Sequence, residues 1–411
     1  EGIGDYSSGS VSIVKNDTFN EISYNLENHL GHIYQYITLL LGLKPTHHEY
    51  KVMGLAPYAS NYEIDKSYKI FSKVLKVKGL NVVFNKKPKD LYFHFKEELK
   101  YSRFDGIAGG LQKFLEDILN KWFENIIKKT KLKNIYFSGG VAQNIKAGLS
   151  LSKNKLINKI YIPPAAGDTT ISLGAAFYLR HYLCKKNKIN LNKQIRPVDN
   201  LYLGNKIKDE EIILAIKKRN LNKKFKIIKR FSSKTIAKDL SNGKIITRCV
   251  GRMEFGLRSL GNRSILCDPR YYENINKINS KIKKRDFWMP FTPTILDKDF
   301  NKYCENPKKL EARFMTMAFN TTKKGREMLK AAIHPADFTA RPQMLRKKDN
   351  EKYYEIIENF KKLTGVGAVL NTSLNLHGLP IVESAEDAFY VFENSKLDIL
   401  IIEDYLIKKI I

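Results

Sequence analysis

Two glycine-containing loops carry residues that could bind a nucleotide and a metal ion. The first, Ser138-Gly139-Gly140-Val141-Ala142-Gln143-Asn144, stands between a strand pattern at 134–137 and a helix pattern at 141–151. Glycine lets backbone N–H groups and a helix N-terminus close on a phosphate, although a plain tight turn would use the same residues. The second loop, Ala166-Gly167-Asp168-Thr169-Thr170, follows the next strand pattern. Its aspartate could ligate a metal ion or cap the following helix, and the two roles can coexist.

Arginines are concentrated in one stretch of the second half of the chain. Only 15 of the 72 basic residues are arginine, yet Arg252, Arg258, Arg263 and Arg270 fall in the single run from Gly251 to Arg270. The planar guanidinium group fits phosphate and carboxylate oxygens. The run therefore predicts an oxyanion site, with surface salt bridges as the alternative.

Polar residues also follow an apolar strand pattern near the end of the chain. They form the string Leu370-Asn371-Thr372-Ser373-Leu374-Asn375, and Thr339-Ala340-Arg341-Pro342-Gln343 adds a further arginine. Together these strings predict a polar pocket in the second half. The sequence has no phosphate loop of the GxxxxGK[ST] type, no HExxH zinc motif and no nucleophile elbow. His29, His32, His47 and His48 lack a partner motif, so the sequence does not favour a zinc site there.

Two α/β patterns must position these loops. A long amphipathic helix is predicted by apolar residues at intervals of three and four: Ile107, Leu111, Phe114, Leu115, Ile118, Trp122 and Ile126. Strand, glycine loop and helix then occur twice in succession, which favours an α/β layer with ligands at the carboxyl ends of the strands. Residues 184–200 have no hydrophobic period and separate a first domain, 1–183, from a second α/β domain, 201–411.

Composition limits the class of protein. With 411 residues and 43% hydrophobic residues, the chain can form two or three domains, and neither a small module nor a disordered chain fits. The net charge of +30 is typical of proteins that bind nucleic acid, an anionic membrane or an acidic substrate. Lysine supplies most of it, together with abundant Asn and Ile, so a biased genome composition explains the charge without a polyanionic partner.

The remaining sequence features bear on location and completeness. The four cysteines form no CxxC pair, which predicts a reducing, cytoplasmic location. No apolar run reaches the ~20 residues of a membrane span, and no signal peptide is visible. The first methionine is Met53, so we expect residues upstream of Glu1 in the full-length protein.

Several strings, in the same order along the chain, resemble the ATP-dependent O-carbamoyltransferases, which include nodulation protein U and the cephalosporin and tobramycin carbamoyltransferases. They are His29-Leu30-Gly31 with Tyr34, Glu49-Tyr50-Lys51-Val52-Met53-Gly54-Leu55-Ala56-Pro57-Tyr58, the loop 138–144, the run 251–270 and the strings 339–343 and 369–375. The resemblance spans essentially the whole chain. The Glu49–Tyr58 and Gly251–Ser264 strings are its most specific parts.

The resemblance implies a fold and a reaction. The first domain would be part of an actin-like ATPase-superfamily domain, similar to the tRNA threonylcarbamoyl transferase, and the second would be similar to threonylcarbamoyl-adenylate synthase. The second domain of such enzymes makes carbamoyl-adenylate from carbamoyl phosphate and ATP, and the first transfers the carbamoyl group to a hydroxyl group of a small acceptor. The resemblance implies ATP, Mg²⁺ and a further divalent metal, Fe²⁺ or another, as cofactors. The motifs encode neither the acceptor nor the oligomeric state.

The resemblance also assigns roles to individual residues. Gly139, Gly140, Gln143 and Asn144 would form the nucleotide loop of the transfer domain, and Asp168 and Glu1 would stand at its metal-ligand positions. Lys283, Arg341, Asn371 and Ser373 would hold carbamoyl phosphate and the adenylate, with Arg258 and Arg263 as support on the phosphate side.

One position departs from the family pattern. Where the family has an arginine that grips phosphate, this chain has Met289, so Lys284 or Arg285 would have to replace it. Two alternatives remain open at this point: a threonylcarbamoyl-type tRNA-modifying enzyme, which the +30 charge would suit, and an impaired nucleotide-binding homologue, which Met289 and the missing start would suit. Binding to a membrane is not expected, and binding to nucleic acid is not favoured.

Overall fold

The computed structural model describes residues 4, 6–15, 18–190 and 198–409. Their contacts divide the chain into two compact units: a first unit of residues 1–169, 307–310 and 316–318, and a second unit of residues 170–306, 311–315 and 319–411. The chain is a mixed α/β protein.

The first unit is mainly helical. Its helices are α1 Leu30–Leu40, α2 Glu49–Leu55, α3 Asn61–Phe71, α4 Leu91–Glu98, α5 Phe104–Thr130 and α6 Ile145–Lys153. Its strands are β1 Gly9–Lys15, β2 Thr18–Asn25, β3 Leu75–Lys78, β4 Asn81–Phe84, β5 Asn134–Tyr136 and β6 Lys159–Tyr161. The strands pair as β1 with β2, β3 with β4, and β5 with β6, and only the last pair is parallel.

Helix α5 is the central element of the first unit. Every residue of the predicted apolar stripe on this helix is buried, which confirms the interpretation of the stripe as core. On another face, Gly106, Gly109 and Gly110 let α5 approach α3 closely. A Cβ atom at Gly110 would lie 2.7 Å from the backbone nitrogen of Tyr68.

The predicted strand–loop–helix repeat is present as β5, α6 and β6, with differences in detail. Helix α6 begins at Ile145, not at residue 141, because residues Gly140–Gln143 form a 3₁₀ turn first. The expectation that the strand at 134–137 is buried is wrong for most of it. Tyr136 is 65% exposed and Tyr161 is 41% exposed on the neighbouring strand.

The second unit is built on one eight-stranded mixed sheet in the order β13-β10-β14-β9-β8-β15-β16-β7. These strands are β7 Phe225–Lys229, β8 Ile246–Cys249, β9 Arg263–Cys267, β10 Thr292–Leu296, β13 Gln343–Leu345, β14 Ala368–Ser373, β15 Ile399–Ile402 and β16 Tyr405–Lys409; the short β11 Phe319–Asn320 and β12 Thr339–Ala340 pair separately. The helices are α7 Ile171–Lys186, α8 Asp209–Lys218, α9 Ser233–Ser241, α10 Glu273–Ile278, α11 Phe300–Tyr303, α12 Lys323–Met328, α13 Glu351–Thr364 and α14 Ala385–Glu393.

The sheet brings the polar string 371–373 into the interior. Strand β14 pairs with β10 along residues 368–371 and with β9 along residues 370–373, so Leu370 and Asn371 have partner strands on both sides. Residues of β8, β9, β14 and β15 contribute to one apolar cluster, which includes Cys249, Ile265, Leu370 and Leu400. A polar side chain on β14 is therefore held by a rigid core, as a precise binding site requires.

Helix α7 extends into the segment that was predicted to be a linker. Helix α7 continues to Lys186, past residue 184 where the linker was predicted to begin, and residues 191–197 lie outside the described ranges.

Cys184, Cys249, Cys267 and Cys304 are buried and free. Within the described ranges, we find no helix with the length and apolar character that crossing a bilayer requires.

Candidate functional site

The two glycine loops of the first unit lie against each other. The backbone N–H of Gly139 donates to the carbonyl of Ala166 over 2.7 Å, and the Ser138 hydroxyl donates to the same carbonyl over 3.1 Å. Gly139 has φ 106°, a conformation that favours glycine. Gly167 leaves room for Gln143, because a Cβ atom there would lie 2.3 Å from Gln143 Nε2. The two loops are therefore in contact, and the Gly139 N–H is used within the protein.

Asn144 caps the helix that follows the first loop. Its Oδ1 atom accepts from the Ala147 N–H over 2.9 Å, and its side chain also pairs with Gln112 of α5. Two of the four predicted loop residues, Gln143 and Asn144, are therefore oriented by contacts within the first unit. Gly140 is exposed at the start of the 3₁₀ turn.

The predicted metal ligands do not form a metal site among the described residues. Asp168 is exposed and opens the 3₁₀ turn Asp168–Thr170. The N-cap residue of α7 is Thr170, so Asp168 does not cap that helix. Glu1 lies outside the described residues. Over the ranges that the structure covers, no three His, Cys, Asp or Glu side chains come together as a metal ion would need, so we derive no step through a metal ion.

In the second unit, Lys283 and Ser373 lie together. Lys283 ends a π-helical turn, Asn279–Lys283, a rare conformation that is frequent at functional sites. Its ammonium group donates to Ser373 Oγ over 3.1 Å and to Asn375 Oδ1 over 2.5 Å. Burial, together with the positive charge of Arg285, lowers the pKa of Lys283 well below its ordinary value.

Arg341 lies deep in the second unit and keeps partial access to solvent. Its Nε atom is buried and has no hydrogen-bond partner. Burial, reinforced by the positive charges of Arg258 and Arg285, lowers the pKa of Arg341 well below its ordinary value. A guanidinium group stays protonated in proteins. The lowered pKa therefore reflects the cost of burying this guanidinium group next to other positive charges, a cost that a bound anion would offset.

Arg285 connects the two parts of this cationic cluster, which we define as Lys283, Arg285, Arg258 and Arg341. Its guanidinium group donates to Thr372 Oγ1 over 3.0 Å and lies 4.8 Å from the centre of the Phe291 ring. Lys284, in contrast, is exposed and has φ 46°. Of the two residues that could replace the family arginine lost at Met289, only Arg285 is therefore in the cluster.

Asn371 is fully buried on β14. Its Nδ2 atom donates to the carbonyl of Ser259 over 3.1 Å and to Thr294 Oγ1 over 3.0 Å. Its Oδ1 atom is buried and has no partner. The amide is thus held in one orientation, with an acceptor available in the same strand that carries Ser373.

The other arginines of the run 251–270 are used by the protein itself. Arg263 is fully buried and donates to the carbonyls of Gly251 and Asn205, among others. Arg252 donates to the carbonyls of Leu203 and Gly204. Arg270 pairs with the buried Asp268 over 2.7 Å. Only Arg258 of this run influences Arg341, so Arg263 acts in the structure as a brace for its own loop.

Arg285 was expected only as a possible replacement for the arginine missing at Met289, and Thr372 and Asn375 only as members of a polar string. A signal was present for each of them. Arg285 follows directly on Lys283-Lys284, and Thr372 and Asn375 belong to the string that contains Asn371 and Ser373. The bond from Lys283 to Asn375 connects positions 92 residues apart and the bond from Arg285 to Thr372 connects positions 87 residues apart, which the sequence alone does not reveal.

Two family models and several relatives match this chain. Residues 1–177 match the family model described as carbamoyltransferase N-terminus, and residues 237–409 match the one described as carbamoyltransferase C-terminus. An uncharacterized protein of Methanocaldococcus jannaschii is 34% identical over 422 residues, which cover 100% of this chain and 78% of that protein. Nodulation protein NolO of Bradyrhizobium diazoefficiens is 31% identical over 420 residues, covering 100% of this chain and 74% of NolO.

Two further comparisons are more limited. Nodulation protein NolNO of Sinorhizobium fredii is 31% identical, and the chain covers 60% of its length. A crystal structure of full-length HypF in the phosphate- and nucleotide-bound form overlaps 44% of this chain and 22% of HypF, with 18% identity and a TM-score of 0.31, too low to support an argument. The family models and the relatives above 30% identity are decisive: the chain belongs to the carbamoyltransferase family.

Proposed function

We propose that this chain is an ATP-dependent O-carbamoyltransferase. The second unit would make carbamoyl-adenylate from carbamoyl phosphate and ATP, and the first would transfer the carbamoyl group to a hydroxyl group of a sugar or secondary metabolite. The observation that carries the proposal is Arg341, whose buried Nε atom has no hydrogen-bond partner and whose pKa is lowered by burial and by the positive charges of Arg258 and Arg285. Positive charges placed close together in this way favour a phosphate-bearing ligand.

The proposed reaction has three steps: hydrolysis of carbamoyl phosphate, adenylation of carbamate and transfer of the carbamoyl group. Water hydrolyses carbamoyl phosphate to carbamate and phosphate, and a carbamate oxygen then attacks the α-phosphorus of ATP and displaces pyrophosphate. In the first unit the acceptor hydroxyl attacks the carbamoyl carbon, AMP leaves and the hydroxyl proton passes to solvent. Adenylation is needed because carbamate itself has a poor leaving group.

Individual residues have distinct roles in this proposal. Lys283 would bind phosphate oxygens as a point charge, and Arg285 would bind them with its planar guanidinium group. Arg341 would donate to the ligand from its unpartnered Nε–H. Asn371 Oδ1 would accept a hydrogen bond from the carbamoyl NH₂ group or from the adenylate. Gly139, Gly140, Gln143 and Asn144 would form the nucleotide loop of the first unit.

The architecture and the cofactors of the family belong to the same proposal. The parallel pair β5 and β6, with α6 between them, is compatible with part of an actin-like ATPase fold, and the large mixed sheet is compatible with a threonylcarbamoyl-adenylate-synthase-like unit. ATP would enter with Mg²⁺ as its counter-ion. A second divalent ion at Asp168 would need ligands from outside the described residues.

The test is pyrophosphate release from the purified chain supplied with ATP and carbamoyl phosphate. We expect release that depends on both substrates and that falls on the order of 10²-fold in Arg341→Ala, as when one preorganised charge is removed from an active site. Arg326→Ala is the matched control, since Arg326 is exposed and packs on Phe338 instead. Equal release from wild type and Arg341→Ala would overturn the proposal.

A further inference from the structure

A chain of polar side chains lies beneath the nucleotide loop of the first unit. The Tyr34 hydroxyl donates to Gln112 Oε1 over 3.0 Å, and Gln112 Nε2 donates to Glu116 Oε1 over 2.8 Å. Gln112 and Asn144 also face each other as paired amides, with Asn144 Nδ2 to Gln112 Oε1 at 2.9 Å and Gln112 Nε2 to Asn144 Oδ1 at 3.1 Å. Tyr34 and Gln112 are buried.

Two independent constraints fix the orientation of both amides. The backbone N–H of Ala147 needs an acceptor, so the oxygen of Asn144 must face it. An ionised Glu116 can only accept, so the nitrogen of Gln112 must face the carboxylate. The first constraint fixes the Asn144 amide and the second fixes the Gln112 amide, and the observed pairing between the two amides satisfies both.

Capping of α6 does not require this arrangement. The cap needs only one hydrogen bond from Asn144. Gln112 and Glu116 are additional polar groups placed next to the apolar face of α5, where burial without compensation costs about 1–3 kcal/mol per group. Glu116 accepts from Gln112, and Gln112 in turn pairs with Asn144 of the loop, which points to a function for the orientation of Asn144.

We propose that Gln112 and Glu116 are positioning residues for the transfer reaction. They hold the Asn144 amide so that the second hydrogen of Nδ2 is presented to the adenylate in the Gly139–Asn144 loop. This inference rests on the proposed function, because it requires that the loop binds a nucleotide. Tyr34 supports Gln112 from the opposite side by donating to its oxygen.

The charge of Glu116 decides whether the Gln112 amide is held in its orientation. A protonated Glu116 could donate to Gln112 Oε1, which would let the Gln112 amide rotate and set its nitrogen against Asn144 Nδ2. Burial raises the pKa of Glu116, whereas the hydrogen bond from Gln112 and the charges of Lys146 and Lys153 lower it, and Asp117 raises it. Positioning by Glu116 is therefore lost as the pH falls and is complete when the carboxyl group is ionised.

The experiment measures the affinity for AMP, the product of the transfer step, by titration calorimetry. The full chain carries Arg341→Ala, which weakens nucleotide binding in the second unit, and Gly139→Val identifies the part of the binding that depends on the loop. We expect Glu116→Gln and Gln112→Leu to weaken loop-dependent binding by about tenfold, corresponding to about 1.4 kcal/mol. Glu124→Gln is the matched control, since Glu124 lies on the same helix and accepts from Asn154 of the segment after α6.

The pH dependence separates positioning from a merely structural role. The ratio of wild-type to Glu116→Gln affinity should approach one as Glu116 becomes protonated, because the titration of AMP itself cancels in the ratio. A constant ratio, or equal affinities of Glu116→Gln and Glu124→Gln, would overturn the inference while leaving the proposed function intact. AMP binding that is insensitive to Gly139→Val would instead overturn the nucleotide loop, and the inference with it. Thermal unfolding of each variant verifies that the fold is retained.

Discussion

Lys283 gives the cationic cluster a pH dependence. Burial and the charge of Arg285 lower its pKa, so Lys283 loses its proton at a lower pH than an exposed lysine does. Since the ammonium form binds phosphate, we expect the affinity for carbamoyl phosphate to fall as the pH rises through this lowered pKa. Titrations between neutral and alkaline pH would measure this step. Lys283→Met should remove it and bind weakly at every pH, whereas Lys284→Met at the exposed neighbour should retain it.

Lys283 should affect the free energy of unfolding in the opposite direction: stability rises with pH where the affinity for carbamoyl phosphate falls. In the absence of ligand, the unfolded chain binds a proton at Lys283 that the folded chain releases at lower pH. The free energy of unfolding should therefore rise with pH between the lowered pKa and the ordinary lysine value. Chemical denaturation across this range, compared between wild type and Lys283→Met, would test the sign. A wild-type stability that falls relative to the variant would contradict it.

The substitution Met289→Arg would restore the arginine that the family pattern has at this position. Arg285 is the only guanidinium group that segment 283–291 contributes to the cluster. We expect Met289→Arg to lower the KM for carbamoyl phosphate about fivefold to tenfold, the effect of one charge-assisted hydrogen bond worth about 1–1.5 kcal/mol. It should also lower the melting temperature without ligand, because like charges accumulate. Phe287→Arg, at a position 72% exposed, adds the same charge outside the site and should leave the KM unchanged.

At the scale of single residues, the sequence identified chemical types better than contacts. It singled out Lys283, Arg341 and Ser373, and the structure brings Lys283 and Ser373 within hydrogen-bonding distance. It could not distinguish Arg258 from Arg263, since both lie in one arginine-rich run. The difference arises because Arg263 meets backbone carbonyls more than ten residues away, whereas Arg258 lies near Arg341.

At the scale of elements, alanine substitutions at two helical glycines, Gly110 of α5 and Gly174 of α7, should change stability in opposite directions. A Cβ atom at Gly110 of α5 would lie 2.6 Å from Ser67 Cβ and 2.7 Å from the backbone nitrogen of Tyr68. A Cβ atom at Gly174 of α7 would have no atom within 4 Å. Gly110→Ala should therefore destabilise by about 1–3 kcal/mol, because α3 must move. Gly174→Ala should stabilise by up to about 1 kcal/mol through helix propensity.

Denaturant unfolding of both glycine variants, followed by circular dichroism, would measure these changes. Unchanged stability in Gly110→Ala would contradict the close packing of α3 on α5, and loss of stability in Gly174→Ala would contradict the open surroundings of Gly174 on α7.

Elements were predictable where a period was long and regular. The stripe on α5 gave the helix and its buried face, and the strand–loop–helix repeat gave β5, α6 and β6. The start of α6 was misplaced by the 3₁₀ turn at Gly140–Gln143, since a helical period does not distinguish three from 3.6 residues per turn over so short a stretch. Gln112 and Glu116 were interpreted only as part of the amphipathic helix, because their partners Tyr34 and Asn144 are distant in sequence.

At the scale of the whole molecule, the charge of +30 has two components. Most of it is lysine, and many of the lysines are exposed. A small part is the cluster of Lys283, Arg285, Arg258 and Arg341, where burial and the charge of Arg285 lower the pKa of Lys283, and burial with the charges of Arg258 and Arg285 lowers that of Arg341. A diffuse coat attracts any polyanion weakly, whereas a converging cluster selects a small phosphate compound.

This division predicts how the chain should behave toward nucleic acid. We expect tRNA to bind only at low ionic strength, with an affinity that falls steeply as salt is added because each neutralised phosphate releases a counterion. An unrelated RNA of equal length should compete equally well, since a lysine coat reads charge and not shape. Filter binding at a series of salt concentrations measures both properties. A preference for tRNA that persists at moderate salt would favour the tRNA-modifying alternative, because only a shaped interface retains selectivity once the charge is screened.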